Sequence, residues 1–210
     1  GEPVGTGLKA GKTGNKVPET ATPVEQLMLQ MEALFAVKDI VTFVTHFKPT
    51  DEGKWVPTSK GASDKAYTLL KNLRSASSID DVFPNLNEKS GALFCINPVK
   101  SFGKRRDSDI NDFRYALVEY DDIPKEEQLS RMLKSGLPIA TITDSGGKSI
   151  HALVRVDAKS RDEYKRKVAK LHAYLEDKFG SAPDAANKNP SRLSRLAGVK
   201  RGTGTQRLLY

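Results

Sequence analysis

The sequence has a single cysteine, Cys95, among 210 residues. One thiol excludes an intrachain disulfide framework and any zinc ribbon or knuckle built within the chain. No stretch approaches the roughly 18 uninterrupted apolar residues of a membrane span, so an integral helical membrane protein is excluded too. The first residues are polar and Gly-rich, without the apolar core of a secretory signal. These absences together point to a reducing, cytoplasmic setting. The sequence opens on Gly1 rather than Met and stops within the apolar run Leu208, Leu209, Tyr210, so it reads as a piece of something longer.

One absence is local. Residues 185–210 contain no acidic side chain but carry Lys188, Arg192, Arg195, Lys200, Arg201 and Arg207. The chain as a whole has 34 Lys and Arg against 26 Asp and Glu, so these six account for most of the net +8. A basic end is often only a solvated tail. Here the cations alternate with Leu193, Leu196, Val199 and Leu208, which implies a folded segment whose field faces an anion, a nucleic acid or nucleotide phosphate.

Hydrophobic residues make up 38% of the chain, enough for a core, and the length suits one domain with at most a small appendage. Residues 1–22 are rich in Gly and Pro without periodicity and are expected to be disordered; residues 23–210 form the domain. The early segment Gly7-Leu8-Lys9-Ala10-Gly11-Lys12-Thr13 imitates a phosphate-binding loop, but that loop needs four residues between its glycines and a preceding strand, and has neither here. Helices are expected over 23–38, 63–74, 124–134 and 160–179, the last opening on Ser160 with Glu163 and closing at Gly180. Strands are expected over 41–47, 91–97, 113–121, 138–143 and 149–156, with a short last one from Gln206. The pattern is α+β, helices packed on a mixed or antiparallel sheet.

Three constellations carry chemistry. Glu119, Tyr120 and Asp121 end the apolar strand Ala116, Leu117, Val118, and alternation points both acids to one face. Like charges so placed repel unless a cation lies between them, and hard divalent ions take carboxylate oxygens. A solvated acidic turn, continued by Asp122, would read the same way. Next comes Ser145-Gly146-Gly147-Lys148-Ser149-Ile150-His151, whose glycines let backbone N–H groups approach an anion as in a nest. Lys148, Ser149 and His151 make a cradle for a triphosphate, although a lone strand histidine is also a common structural residue. His46 and His172 are read as structural. Third, Asp184 precedes Asn189-Pro190-Ser191-Arg192-Leu193-Ser194-Arg195-Leu196, where a helical turn would put Arg192 and Arg195 on one side.

Taken in order, these residues resemble the archaeo-eukaryotic primase superfamily, and more narrowly the primase–polymerase branch at the front of phage and plasmid helicase-primases. The family's hydrophobic strand ending in acid-x-acid matches Ala116-Leu117-Val118-Glu119-Tyr120-Asp121, its s-x-H strand matches Ser149-Ile150-His151, and its third carboxylate matches Asp184. The resemblance covers about residues 94–206. It departs in having Glu119 where many relatives have aspartate and in lacking a cysteine cluster. It implies an RRM-like catalytic core and template-directed nucleotidyl transfer on single-stranded DNA in the replication of a mobile element. Glu119, Asp121 and Asp184 would be the catalytic acids and would hold two Mg²⁺ or Mn²⁺ ions. Lys148, Ser149, His151, Arg192 and Arg195 would bind the NTP or dNTP. Lys104, Arg105, Arg106, Lys200 and Arg201 would follow the template, and a helicase would follow Tyr210. A metal-dependent nuclease or relaxase, and a non-catalytic basic nucleic-acid-binding module, are the competing expectations.

Overall fold

The structure is a computed structural model that describes residues 6–58 and 62–210. Helix α1 spans Pro23–Leu34. Thr22 Oγ1 accepts from Glu25 N at 3.2 Å while Glu25 Oε2 accepts from Thr22 N at 2.8 Å, so two N–H groups that a helix start leaves orphaned are satisfied. Strands β1 (Ile40–Val44), β2 (Phe47–Pro49), β3 (Trp55–Pro57) and β4 (Ala62–Lys65) follow, then α2 (Ala66–Ser75) and β5 (Leu93–Cys95). The second half runs β6 (Phe113–Val118), α3 (Lys125–Lys134), β7 (Ile139–Asp144), β8 (Ile150–Ala158) and α4 (Arg161–Phe179). It ends in β9 (Leu193–Arg195), β10 (Val199–Arg201) and β11 (Gly204–Gln206).

These strands make a four-stranded sheet, β4-β1-β5-β9, a three-stranded sheet, β6-β8-β7, and the hairpins β2–β3 and β10–β11. Every paired strand is antiparallel, which settles the choice left open between mixed and antiparallel. The three-stranded sheet is covered on both faces. Tyr115, Leu117 and Leu153 enter a core shared with α1, α2, β1 and β5, while Ala116, Val118, Ala152 and Val154 enter a second core with Tyr164, Val168, Leu171 and Leu175 of α4. Burial on both faces explains why β6 and β8 read as nearly unbroken apolar runs. Strand β9 comes from the basic end of the chain yet pairs with β5 (Leu93↔Arg195, Phe94↔Ser194). It thereby brings that end against the first half's sheet.

Buried Asn97 organises the junction between the halves. Its Nδ2 donates to Tyr115 O and Pro190 O, both at 3.0 Å, and its Oδ1 accepts from Arg114 N and Tyr115 N, both at 2.9 Å. The β6–β8 register shifts between Phe113 and Tyr115, and the N–H groups at that irregularity are the ones Asn97 satisfies.

Several expectations change. The stretch expected to be disordered lies, in residues 1–5, outside the described residues. From Thr6 on it has no regular structure but packs on the body: Leu8 is buried in the second core, Val17 packs against Ala197 and Leu208, and Val17 N donates to Leu209 O at 2.9 Å. The helix expected over 63–74 begins only at Ala66, because Ala62–Lys65 pairs with β1. The strand expected over 41–47 is broken between Val44 and Phe47. No helix among the described residues is long and apolar enough to cross a membrane.

Candidate active site

Strand β6 stops at Val118, and Glu119 to Asp121 continue from its end. Tyr120 turns inward: it is buried, with Arg131 5.1 Å from its ring centroid, so it is unavailable for stacking on a base. Asp184 arrives from the far side of α4, where Asp184 N donates to Glu119 O at 2.8 Å. That backbone bond sets the third acid beside the first, and ligand oxygens of Glu119, Asp121 and Asp184 all lie within 4.8 Å of one another. Partial burial, then the neighbouring charges of Glu119, Asp184 and Asp122, push the Asp121 carboxyl above its ordinary value. Three carboxylates converging at this spacing fit a hard divalent cation by donor type.

Glu119 is the most constrained of the three. His151 Nε2 lies 2.7 Å from its Oε2, Ser149 Oγ donates to the same oxygen at 2.7 Å, and Asn187 Nδ2 donates to Oε1 at 3.3 Å. Burial alone would raise this carboxyl, but hydrogen bonding and charge from His151, then Ser149 and Asn187, hold it down at about 2. His151 is oriented in turn by Ser194, whose Oγ is 3.0 Å from Nδ1. Since His151 is on β8 and Ser194 on β9, this contact ties the two sheets together across the site.

The glycine turn is built for close packing and is not a nest. Gly146 N donates to Asp144 Oδ1, and Gly147 N and Ser149 N to Ser145 Oγ, so these N–H groups are consumed within the turn. Gly146 has φ +73°, where a side chain would be strained, and a Cβ there would stand 3.2 Å from Arg201 Cβ. The β10–β11 hairpin presses against the turn, with Arg201 Nη1 donating to Ser145 O at 2.9 Å. Gln128 of α3 clamps the other side: its Nε2 donates to Lys148 O at 3.1 Å and its Oε1 accepts from Ile150 N at 3.0 Å. Lys148 lines the resulting cavity.

The expected helical turn over Arg192 and Arg195 is instead strand β9 and its approach, since pairing with β5 overrides local spacing. Both arginines still line the cavity. Arg192 Nε donates to Asn187 Oδ1 at 3.0 Å, so Asn187 bridges it to Glu119. Arg195 Nη1 donates to Ser90 O at 2.8 Å, and burial, then the nearby Arg201 charge, pushes it down to about 10, still protonated at neutral pH.

The cavity holds about 700 Å³ between the two sheets, with Glu119 and Asp121 on one side. Arg105, Lys148, Arg192, Arg195 and Arg201 also line it, and none of the five makes an ion pair among the described residues. Four of them, all but the exposed Lys148, are partly buried, and partly buried cations without counter-charges favour an anionic occupant. His46 and His172 lie outside it. Sequence reasoning missed Asn187, Ser194 and Gln128, and assigned Arg105 and Arg201 to the template rather than to the cavity. No local motif marks Asn187 or Gln128.

No family model matches the sequence, and neither does any curated protein. Among solved structures, the chain is similar to the AEP domain of the cyanophage S-2L primase-polymerase, with a TM-score of 0.57 and 24% identity over 90% of this chain and 89% of that one. A crystal structure of the catalytic domain of primase RepB′ in complex with initiator DNA matches with a TM-score of 0.49 and 18% identity, over 89% of this chain and 82% of that one. The first of these similarities covers nine-tenths of this chain, and the chain accordingly has the fold of an archaeo-eukaryotic primase (AEP) domain.

Proposed function

We propose that residues 23–210 are the catalytic domain of a cytoplasmic DNA primase–polymerase that makes or extends primers on single-stranded DNA during replication of a mobile element. The observation that carries this reading is a cavity lined by Glu119 and Asp121, two of three clustered carboxylates, and by five cations that make no ion pair among the described residues. A nucleoside triphosphate with divalent metal held by the acids would satisfy the charges of both walls.

Glu119, Asp121 and Asp184 would hold Mg²⁺ or Mn²⁺, which supplies activation of a primer 3′-hydroxyl and charge neutralisation on the triphosphate. The hydroxyl oxygen attacks the α-phosphorus, the bond to the pyrophosphate oxygen breaks, and the hydroxyl proton passes to solvent. Arg192, Arg195, Arg201 and Lys148 bind the phosphates and stabilise charge on the departing pyrophosphate. Ser149 and His151 contribute in two ways: they hold Glu119 in place, and they can donate to a phosphate oxygen once they release Glu119 Oε2. Asn187 orients Glu119 and Arg192 together.

The deciding experiment is primer extension and de novo synthesis on single-stranded DNA with Mg²⁺ or Mn²⁺ and each nucleotide set, run beside Asp121→Ala. Templated products that vanish in the folded variant support the reading. Metal-dependent cleavage of the DNA without synthesis would replace it with a nuclease. Salt-sensitive binding that neither metal nor nucleotide alters would replace it with a binding module.

A further inference from the structure

We propose that the turn over residues 101–106 is a single-strand binding element. In it Phe102 stacks on an unpaired base, and Lys104 and Arg106 hold the phosphates to either side. The inference rests on the reading of the cavity as a polymerase site and supplies it with a template contact at its rim.

Phe102 is 53% exposed, yet the turn that carries it is fixed. Gly103, at φ +73°, donates its N–H to Ser63 Oγ at 2.8 Å, and Lys104 O accepts from Thr42 Oγ1 at 2.8 Å. Arg106 N donates to Asp109 Oδ2 at 2.8 Å. The backbone that follows Phe102 is therefore held by three side-chain bonds, and the phenyl ring it presents stands half in water. Ordering costs already met in the free protein leave more of the stacking energy for binding.

Charge selects the partner. Lys104, Arg105 and Arg106 make no ion pair among the described residues. The turn's nearby acids are already engaged: Asp107 by Ser191, Asn189 and Arg161, and Asp109 by Arg106 N. An exposed aromatic among unpaired cations matches the surface that single strands use, with bases stacking on rings and phosphates meeting basic groups. A base in a duplex has its faces covered by its neighbours, so the ring needs an unpaired strand.

Position ties this surface to the site. Arg105 lines the catalytic cavity and donates from Nη2 to Thr58 O at 3.2 Å, beside Pro57 on the cavity wall. Asp107 fastens the same loop to Ser191 at 2.6 Å, next to Arg192. A strand leaving the cavity past Arg105 meets Phe102 next.

The test is fluorescence anisotropy with a labelled 15-nucleotide oligo(dT) and a 15-base-pair duplex, at low and moderate salt. Wild type, Phe102→Ala and the double variant Lys104→Glu/Arg106→Glu are compared, each checked by circular dichroism. Phe102→Ala should weaken single-strand binding about tenfold, leave the salt slope unchanged and leave duplex binding unchanged. The double variant should weaken binding and lower the salt slope by about 1.4, two phosphate contacts at roughly 0.7 each. Single-strand affinity of folded Phe102→Ala within twofold of wild type overturns the proposal, as does an equal loss on duplex. Wild-type primer extension is run alongside. Synthesis together with Phe102-insensitive binding sinks only this inference; Phe102-sensitive binding without synthesis sinks only the polymerase reading.

Discussion

The Nε2 of His151 stands 2.7 Å from Glu119 Oε2, on the oxygen that also accepts from Ser149. One carboxylate oxygen thus gathers the two side chains that the s-x-H pattern supplies. The arrangement makes nucleotide capture and acid placement competing uses of the same donors. A phosphate that draws His151 away also frees Glu119 Oε2, and Asn187 then remains as the protein's hold on the other oxygen. Glu119 is longer than aspartate by one methylene, which lets it span from the end of β6 to donors on β8 and on the 185–187 segment.

Asn187 is therefore expected to matter as much as a residue that touches substrate. Asn187→Ala removes the donor to Glu119 Oε1 and the acceptor for Arg192 Nε together. Loss of such outer contacts commonly costs 10- to 100-fold in metal affinity or rate. We expect a turnover loss of about that size and weaker Mn²⁺ binding by calorimetry without nucleotide. Unchanged Mn²⁺ affinity and unchanged turnover would show Glu119 to be positioned without it.

Asp121 should behave in the opposite sense for stability. It is exposed, and its neighbours Glu119, Asp184 and Asp122 oppose its charge. In metal-free protein, Asp121→Asn should leave the melting temperature unchanged or raise it by a degree or two. In wild type, millimolar Mn²⁺ should raise the melting temperature, because a ligand bound only to the folded state stabilises it. That increment should be largely absent from the variant. A full Mn²⁺ shift in Asp121→Asn would remove it from the metal site.

What was readable in the sequence was what local pattern dictates. The both-sided apolar run of β6 gave away the strand and hence the shared face of Glu119 and Asp121, and the Ser160 cap and Gly180 bracketed α4 closely. What was hidden depends on pairing between distant segments. Arg192 and Arg195 suit a helix by spacing, but β5 captures them as a strand, and that pairing turns Ser194 toward His151. Gly146 and Gly147 look like an anion nest, but their freedom serves the approach of Arg201 and Gly204. Residues 6–22 lack periodicity because Leu8 and Val17 are anchored singly, by contacts with the body rather than by their neighbours in sequence.

Asn97 offers a stability test away from the carboxylates. Fully buried, it makes four hydrogen bonds to backbone groups of residues 114, 115 and 190. Asn97→Ala would strand two N–H groups at the irregularity in β6 and two carbonyls. We expect a loss of about 3 kcal/mol in urea unfolding, since each orphaned buried group costs about 1–3 kcal/mol and water can recover part of it. A loss below about 1 kcal/mol would mean that water replaces the carboxamide at little cost.

His172 should give the fold a pH limit. It is 5% exposed on α4, its Nε2 has no hydrogen-bond partner among the described residues, and burial, then the Lys188 charge, lowers it from 6.5 to about 4. The unfolded chain takes up a proton below pH 6.5 that the folded chain refuses until about pH 4. Stability from this group is complete above pH 6.5, falls as the pH drops toward 4 and levels off below that. By pH 5 the loss is about 2 kcal/mol, from roughly 1.5 units at 1.36 kcal/mol each. Urea unfolding at pH 7.5 and pH 5 would measure it, with His172→Gln as the comparison. The variant replaces the titrating ring with a neutral amide, so its stability should change less over that interval. Glu119, whose carboxyl sits at about 2, contributes only below its ordinary 4.5 and does not confuse the comparison at pH 5. Parallel pH profiles for the two proteins would mean that His172 protonates in the folded state as readily as in water. Solvent would then have to reach the ring.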